Sequence, residues 1–184
     1  MISRVPITRE NQPLFVKCWN LYVNAFPEEE RRTKEYHLDT LKKIEFNFEA
    51  ILDDEKFVGI LCWWSFESIR YIEHFATSPE LRGAGYGKII LEQFIKENNK
   101  PVILEVELPD CTLNKRRIAF YERLGFIFND CDYAHPPYSN KKDDEFLNLK
   151  LMTYPKSIDE TDVDKFKEQF FPIIHFRYFE DFGI

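Results

Sequence analysis

The chain has 184 residues, which at about 150 residues per domain makes one domain with room for a small appendage. Apolar residues are 44% of it, charged residues 31% and aromatics 16%, a composition that excludes intrinsic disorder as the main state. Its 25 basic and 32 acidic residues leave a formal charge of −7, which argues against a nucleic-acid partner held by a basic footprint and is compatible with a cationic small molecule.

No stretch approaches the roughly 20 apolar residues of a membrane span, and the first residues lack the apolar core of a signal peptide. Cys18, Cys62, Cys111 and Cys131 form neither a C-x-x-C pair nor a tight Cys/His cluster. No metal site or redox pair is therefore expected, and a reducing cytoplasm is the expected compartment. Cys18 and Cys62 fall within apolar patterns and read as buried free thiols.

The pattern Phe15, Cys18, Trp19, Tyr22, Phe26 has helical spacing, with Asn11 as the expected cap and Pro13 in the first turn. Residues 28–32 read as a solvated loop. A second helix is expected over 33–44 with Leu38, Leu41 and Ile44 inward. The period then changes to two. Phe46, Phe48, Ala50 and Leu52 mark one strand, and Val58, Ile60, Cys62, Trp64 and Phe66 a second that is apolar on both faces. A third strand over 69–77 completes an antiparallel meander. Further elements are a helix over 87–98, a buried strand over 102–108, a helix over 114–124 closed by Gly125, and strands over 126–133 and 146–152. Ser157 and Glu160 read as the capping box of a last helix, followed by an aromatic tail laid on the domain surface.

The chemical signal lies between the meander and the helix over 87–98, in Arg82-Gly83-Ala84-Gly85-Tyr86-Gly87-Lys88. The glycines remove side chains where backbone approaches a ligand, and the loop ends at a helix N-terminus, which favours an anion. Arg82 and Lys88 add positive charge, so a phosphate or pyrophosphate site is expected. The spacing is not the G-x-G-x-x-G of a dinucleotide loop, and Ile89 replaces the Ser or Thr that a P-loop needs after its lysine.

Arg82, Gly85 and Gly87 do match the R/Q-x-x-G-x-G/A loop of the GNAT superfamily of N-acetyltransferases. Downstream, the segment from Asn114 through Tyr121 to Gly125-Phe126 resembles that superfamily's N-x-x-A-x-x-x-Y-E-K-L-G-F, with the alanine displaced to Ala119. The resemblance covers about residues 4–152 and implies an α/β fold of GNAT type. That fold has a mixed, mostly antiparallel central sheet flanked by helices and splayed at the cofactor cleft. It also implies an acetyltransferase domain over 1–152, with a C-terminal helix and aromatic tail over 153–184 packed on it.

By the same resemblance acetyl-CoA is the co-substrate and no metal is needed. Its pantetheine arm lies beside Phe75, Ala76 and Thr77. The pyrophosphate takes the backbone of Arg82, Gly83, Ala84, Gly85, Tyr86, Gly87 and Lys88, and Asn114 contacts the CoA arm. The reaction implied is direct attack of a small-molecule or peptide amine on the thioester by a monomer or homodimer, without nucleic acid or membrane. The amine must lose a proton, and Glu73 is the candidate base. Tyr121 is the candidate acid for the departing thiolate. His74 is expected on the opposite face of its strand from Glu73. Glu105 and Glu107 share a face and are further candidates to bind an ammonium or accept a proton. Trp63, Trp64, Tyr133, His135 and Tyr138 are candidate pocket aromatics, with core packing favoured for the two tryptophans. A non-catalytic acyl-CoA-binding module of the same fold is the alternative.

Overall fold

The computed structural model describes residues 1–138 and 145–182. The chain divides into two compact units, Met1–Lys100 and Pro101–Ile184.

The first unit begins with strand β1 (Ile2–Pro6), followed by helices α1 (Phe15–Ala25) and α2 (Lys34–Thr40). The meander follows as β2 (Phe46–Asp53), β3 (Lys56–Ser65) and β4 (Arg70–Thr77), and the unit closes with α3 (Tyr86–Lys96). The four strands pair in the order β1-β2-β3-β4, each pair antiparallel. The period-two pattern built this sheet as expected. Both faces of β3 are covered: Trp64 packs with Phe46 and Phe66, and Trp63 with Phe94 of α3. Each tryptophan donates its indole N–H to a carboxylate, Trp63 to Glu49 and Trp64 to Glu73; Trp64 is fully buried and Trp63 half-buried.

Several expectations shift. The strand β1 was not anticipated; Pro6 ends it, where a missing N–H is tolerated. Helix α1 starts at Phe15 rather than near Asn11, which lies in a preceding turn. Helix α2 stops at Thr40, and Tyr36, His37 and Thr40 face inward, while Ile44 is exposed. Thr33 caps that helix, its side chain accepting from the Tyr36 N–H at 3.3 Å.

The second unit holds β5 (Val102–Glu107), α4 (Thr112–Glu122), β6 (Ile127–His135), β7 (Leu147–Tyr154), α5 (Glu160–Ile174) and α6 (Phe176–Phe182). Its strands pair antiparallel in the order β5-β7-β6. Gly125 ends the turn after α4 with φ +90°, as its position after the helix suggested. The capping box of α5 is Asp159 with Asp162, not Ser157 with Glu160: Asp159 accepts the Asp162 N–H at 3.0 Å, and Asp162 accepts that of Asp159 at 3.4 Å. Phe166 and Phe171 of α5 pack on Tyr133 of β6. The tail over 176–182 is helical, and Phe176 is buried, so this part is more ordered than a surface strap.

Candidate active site

The glycine loop has the form an anion site requires. Gly83 and Gly85 take φ +84° and +86°, a region open to glycine at little cost. Among the described residues, and apart from the adjoining backbone, no protein atom lies within 4 Å of where a Cβ would stand on either, so the space above this backbone is open. Gly85 is the N-cap of α3, and the first helical bond runs from the Ile89 N–H to the Gly85 carbonyl. The amides of Tyr86, Gly87 and Lys88 therefore precede the first bonded N–H of the helix and face outward with its positive pole. Arg82 and Lys88 are exposed beside them. The Tyr86 hydroxyl donates to Asp53 at 2.9 Å and ties the loop to the β2–β3 turn, which leaves Tyr86 its backbone for a ligand.

Strand β4 carries a bulge at Glu73. Cys62 faces His74 and Trp63 faces Ile72, so the register passes over Glu73. The bulge cancels the alternation that was to send His74 away from Glu73; His74 Nδ1 lies 3.8 Å from Glu73 Oε2. The Glu73 side chain is wholly buried although the residue as a whole is half-buried, so its exposure is main chain. Arg32 donates Nη1 and Nη2 to Oε2 and Oε1, each at 2.7 Å, and Trp64 donates to Oε2 at 3.1 Å. Burial alone would raise the Glu73 carboxyl. The Arg32 charge overrides it and holds the group at about 2. This geometry disfavours the direct base role expected of Glu73, because the carboxylate faces Arg32 rather than solvent. Burial lowers His74 to about 4, and its Nε2 lies 2.8 Å from the Glu30 carbonyl. A carbonyl only accepts, so Nε2 carries the hydrogen.

In the second unit Glu105 of β5 is brought together with Tyr133 and His135 of β6. Tyr133 donates its hydroxyl to Glu105 Oε1, and His135 Nε2 stands 3.7 Å from Oε2. Tyr138 packs on His135 with the rings tilted by 41° and 4.7 Å between centroids, and His175 meets the same imidazole edge-on at 4.4 Å. Glu107 is instead engaged with Arg117 of α4. Tyr121 is half-buried against Phe120 and Phe126, and burial pushes its phenol up to about 12. Asn114 donates its amide hydrogens to the Leu108 carbonyl and to Asp110, each at 3.0 Å, which fixes the β5–α4 turn and leaves its own oxygen as an acceptor.

Residues 14–126 match the model of the acetyltransferase (GNAT) family. The chain belongs to that family. Among curated proteins it is 33% identical over 103 residues to YjbC of Bacillus subtilis (strain 168), to which an acetyltransferase role is attributed. That match takes in 55% of this chain and 52% of YjbC, so the chain spans about half the length of that relative. Among solved structures it is 36% identical to a GNAT-family protein of Bacteroides thetaiotaomicron with the same attribution, with a TM-score of 0.86 over 94% of this chain and 97% of that one. An aminoglycoside 6'-N-acetyltransferase solved with coenzyme A shares the fold, with a TM-score of 0.58 and 14% identity over 86% of this chain and 99% of that one.

Sequence reasoning missed two members of the GNAT protein's buried clusters. Arg32 sat in a stretch read as solvated loop, and nothing in a local pattern reveals a partner 41 residues away. His175 sat in the aromatic tail with no periodic signal of its own. All four histidines, His37, His74, His135 and His175, are buried. Among the described residues no group of three or more His, Cys, Asp or Glu is placed to hold a metal ion, and no helix is long and apolar enough to cross a membrane.

Proposed function

We propose that this GNAT protein is an N-acetyltransferase that carries an acetyl group from acetyl-CoA to a primary amine by direct attack. The observation that carries this reading is the open backbone cradle at Gly83 and Gly85, continued by the outward amides of α3, in a chain of this family. The pyrophosphate is assigned to the backbone of residues 82–88, with Arg82 and Lys88 contributing charge. The pantetheine arm is assigned to the β4 main chain at Phe75, Ala76 and Thr77, and Asn114 to the CoA arm through its carboxamide oxygen.

In the proposed step the amine nitrogen forms a bond to the thioester carbon and the C–S bond breaks. The amine then sheds one proton, and the thiolate takes one up. Tyr121 is proposed as the donor to the thiolate, since a phenol held near 12 is protonated at neutral pH. For the amine's proton we propose Glu105 in place of Glu73. Its side chain is 10% exposed, and the Tyr133 hydroxyl fixes its orientation. Tyr138, His135 and Tyr133 supply aromatic surface suited to an organic cation.

We further propose the acetyltransferase domain over 1–152 with 153–184 as its appendage, and a reducing compartment such as the cytoplasm, in keeping with four free cysteines. The test is calorimetric binding of CoA, ATP and NAD, followed by acetyl transfer to spermidine, tyramine, kanamycin and a peptide N-terminus, read by free thiol. CoA binding with thiol release supports the reading. CoA binding with no turnover on a broad amine panel favours an acyl-CoA-binding module, and preference for a nucleotide overturns both.

A further inference from the structure

The connection between α1 and α2 is fastened to the β4 bulge by a set of buried polar bonds. Arg32, fully buried, places both guanidinium nitrogens on Glu73 and donates its own backbone N–H to the Tyr22 hydroxyl at 3.0 Å. His74, the next residue along β4, meets the Glu30 carbonyl at 2.8 Å. Two successive residues of the bulge thus hold two points of one short segment, residues 30 and 32. The segment is otherwise thinly built: a single 3-10 turn over Glu28–Glu30, with Glu28 and Glu29 exposed. Desolvating an ion pair costs about as much as the pair returns, so stability alone does not account for a full Arg–carboxylate fork here. What a fork supplies is direction, because two parallel bonds fix both distance and plane.

We infer that Arg32 and Glu73 are positioning residues, which lock residues 27–33 against the bulged main chain of β4 and thereby shape the acceptor side of the transfer site. This rests on the acetyltransferase reading for its kinetic consequence and on geometry alone for the locking. The exposed main chain at Glu73 lies beside the locked segment, so whatever binds there is bordered by residues 27–33. Loosening the segment weakens acceptor binding while the chemical groups stay in place.

The test uses the full chain with Glu73→Gln, which keeps the shape and removes the charge, and Arg32→Lys, which keeps the charge and removes the fork. Hydrogen exchange is read by peptide. Both variants are expected to exchange faster over 27–33 by at least 10-fold beyond any change shared with β2 and α3. In transfer to the best amine of the panel above, acceptor KM is expected to rise at least 10-fold, with kcat within about 3-fold and the acidic limb of kcat/KM retained. Exchange over 27–33 that rises no more than that of β2 and α3 in both variants overturns the locking. A Glu73→Gln enzyme that loses its acidic limb and at least 100-fold in kcat at unchanged KM makes Glu73 the base and overturns the positioning role. If wild type transfers acetyl to no amine, the functional reading fails, and the exchange result still decides the locking.

Discussion

A Cβ placed on Gly59 of β3 would stand 2.5 Å from the carbonyl oxygen of Ala76 on β4. No side chain fits there without moving one strand, because the obstacle is backbone rather than the flexible end of a side chain. Gly59→Ala should therefore destabilise the chain by about 1–3 kcal/mol, the range for overpacking. It should also weaken CoA binding, since the strand it displaces carries Phe75, Ala76 and Thr77. Urea midpoints and calorimetry check both. An alanine variant as stable as wild type would show that β4 yields more easily than this contact implies.

The glycine loop makes the opposite case, where space is open and the backbone is the constraint. Gly85→Ala places a Cβ at φ +86° with no atom of the described residues within 4 Å apart from the adjoining backbone. Its cost to folding is the left-handed strain of about 1–2 kcal/mol. Its cost to binding is larger in kind, because the new methyl occupies the space assigned to the pyrophosphate. CoA affinity is expected to fall more than 10-fold and to keep falling with added salt, whereas affinity for pantetheine, which lacks the pyrophosphate, should be unchanged.

The pair of Arg32 and Glu73 makes single and double replacements differ sharply. Glu73→Leu or Arg32→Met alone leaves one uncompensated charge in a fully buried site and should cost about 3–5 kcal/mol. The double replacement removes both charges and should recover most of that loss. A denaturation cycle measures the coupling, and additive losses would contradict a direct pair.

Acid should destabilise the folded chain over two overlapping ranges of pH. His37 is held at about 3 and His74 at about 4, both chiefly by burial, against 6.5 unfolded. Below pH 6.5 the unfolded chain binds protons that the folded chain refuses, so stability falls as pH drops from 6.5 toward 4 and 3. Glu73 is held at about 2 against 4.5 unfolded, which adds a further loss as pH falls from 4.5. The urea midpoint should thus be lower at pH 5 than at pH 7, and lower again at pH 4. His37 lies among Trp19, Tyr22, Phe46 and Phe48, and neither ring nitrogen makes a hydrogen bond among the described residues. Leucine at this position removes a titrating group without breaking a bond, and should flatten the decline above pH 4.5.

The elements that sequence reasoning located well are those whose burial repeats. Alternation at Phe46, Phe48 and Ala50 reads directly as a strand because each inward residue is buried. The glycine loop was legible because its spacing is set by backbone conformation rather than by distant contacts. Alternation failed at Glu73 and His74, where one bulge residue turned both toward the same buried pocket. The inward face of α2 was misread because Tyr36, His37 and Thr40 are less apolar than Leu38, Leu41 and Ile44, and the aromatic surroundings that accept them come from other elements. Glu73 was singled out as the candidate base, but its partner Arg32 depends on tertiary packing that no local pattern encodes.

Tyr121 gives the sharpest test of the proposed chemistry. Its phenol is half-buried and pushed up to about 12, first by burial, with Arg117 opposing and Glu107 adding to the rise. Such a group stays protonated across the working range, so its proton is present as the thiolate departs, although the phenol is the weaker acid of the two. Tyr121→Phe removes only the hydroxyl; among the described residues that hydroxyl makes no hydrogen bond, so stability should change by less than about 1 kcal/mol. With the best amine of the panel, kcat should fall about 100-fold or more while the affinity for CoA is kept. Because the phenol titrates near 12, wild type should show no alkaline limb due to Tyr121 between pH 6 and 10. An alkaline limb in that window that vanishes in Tyr121→Phe would mean a phenol far more acidic than its surroundings make it, and a phenylalanine variant with wild-type kcat would remove Tyr121 from the chemistry.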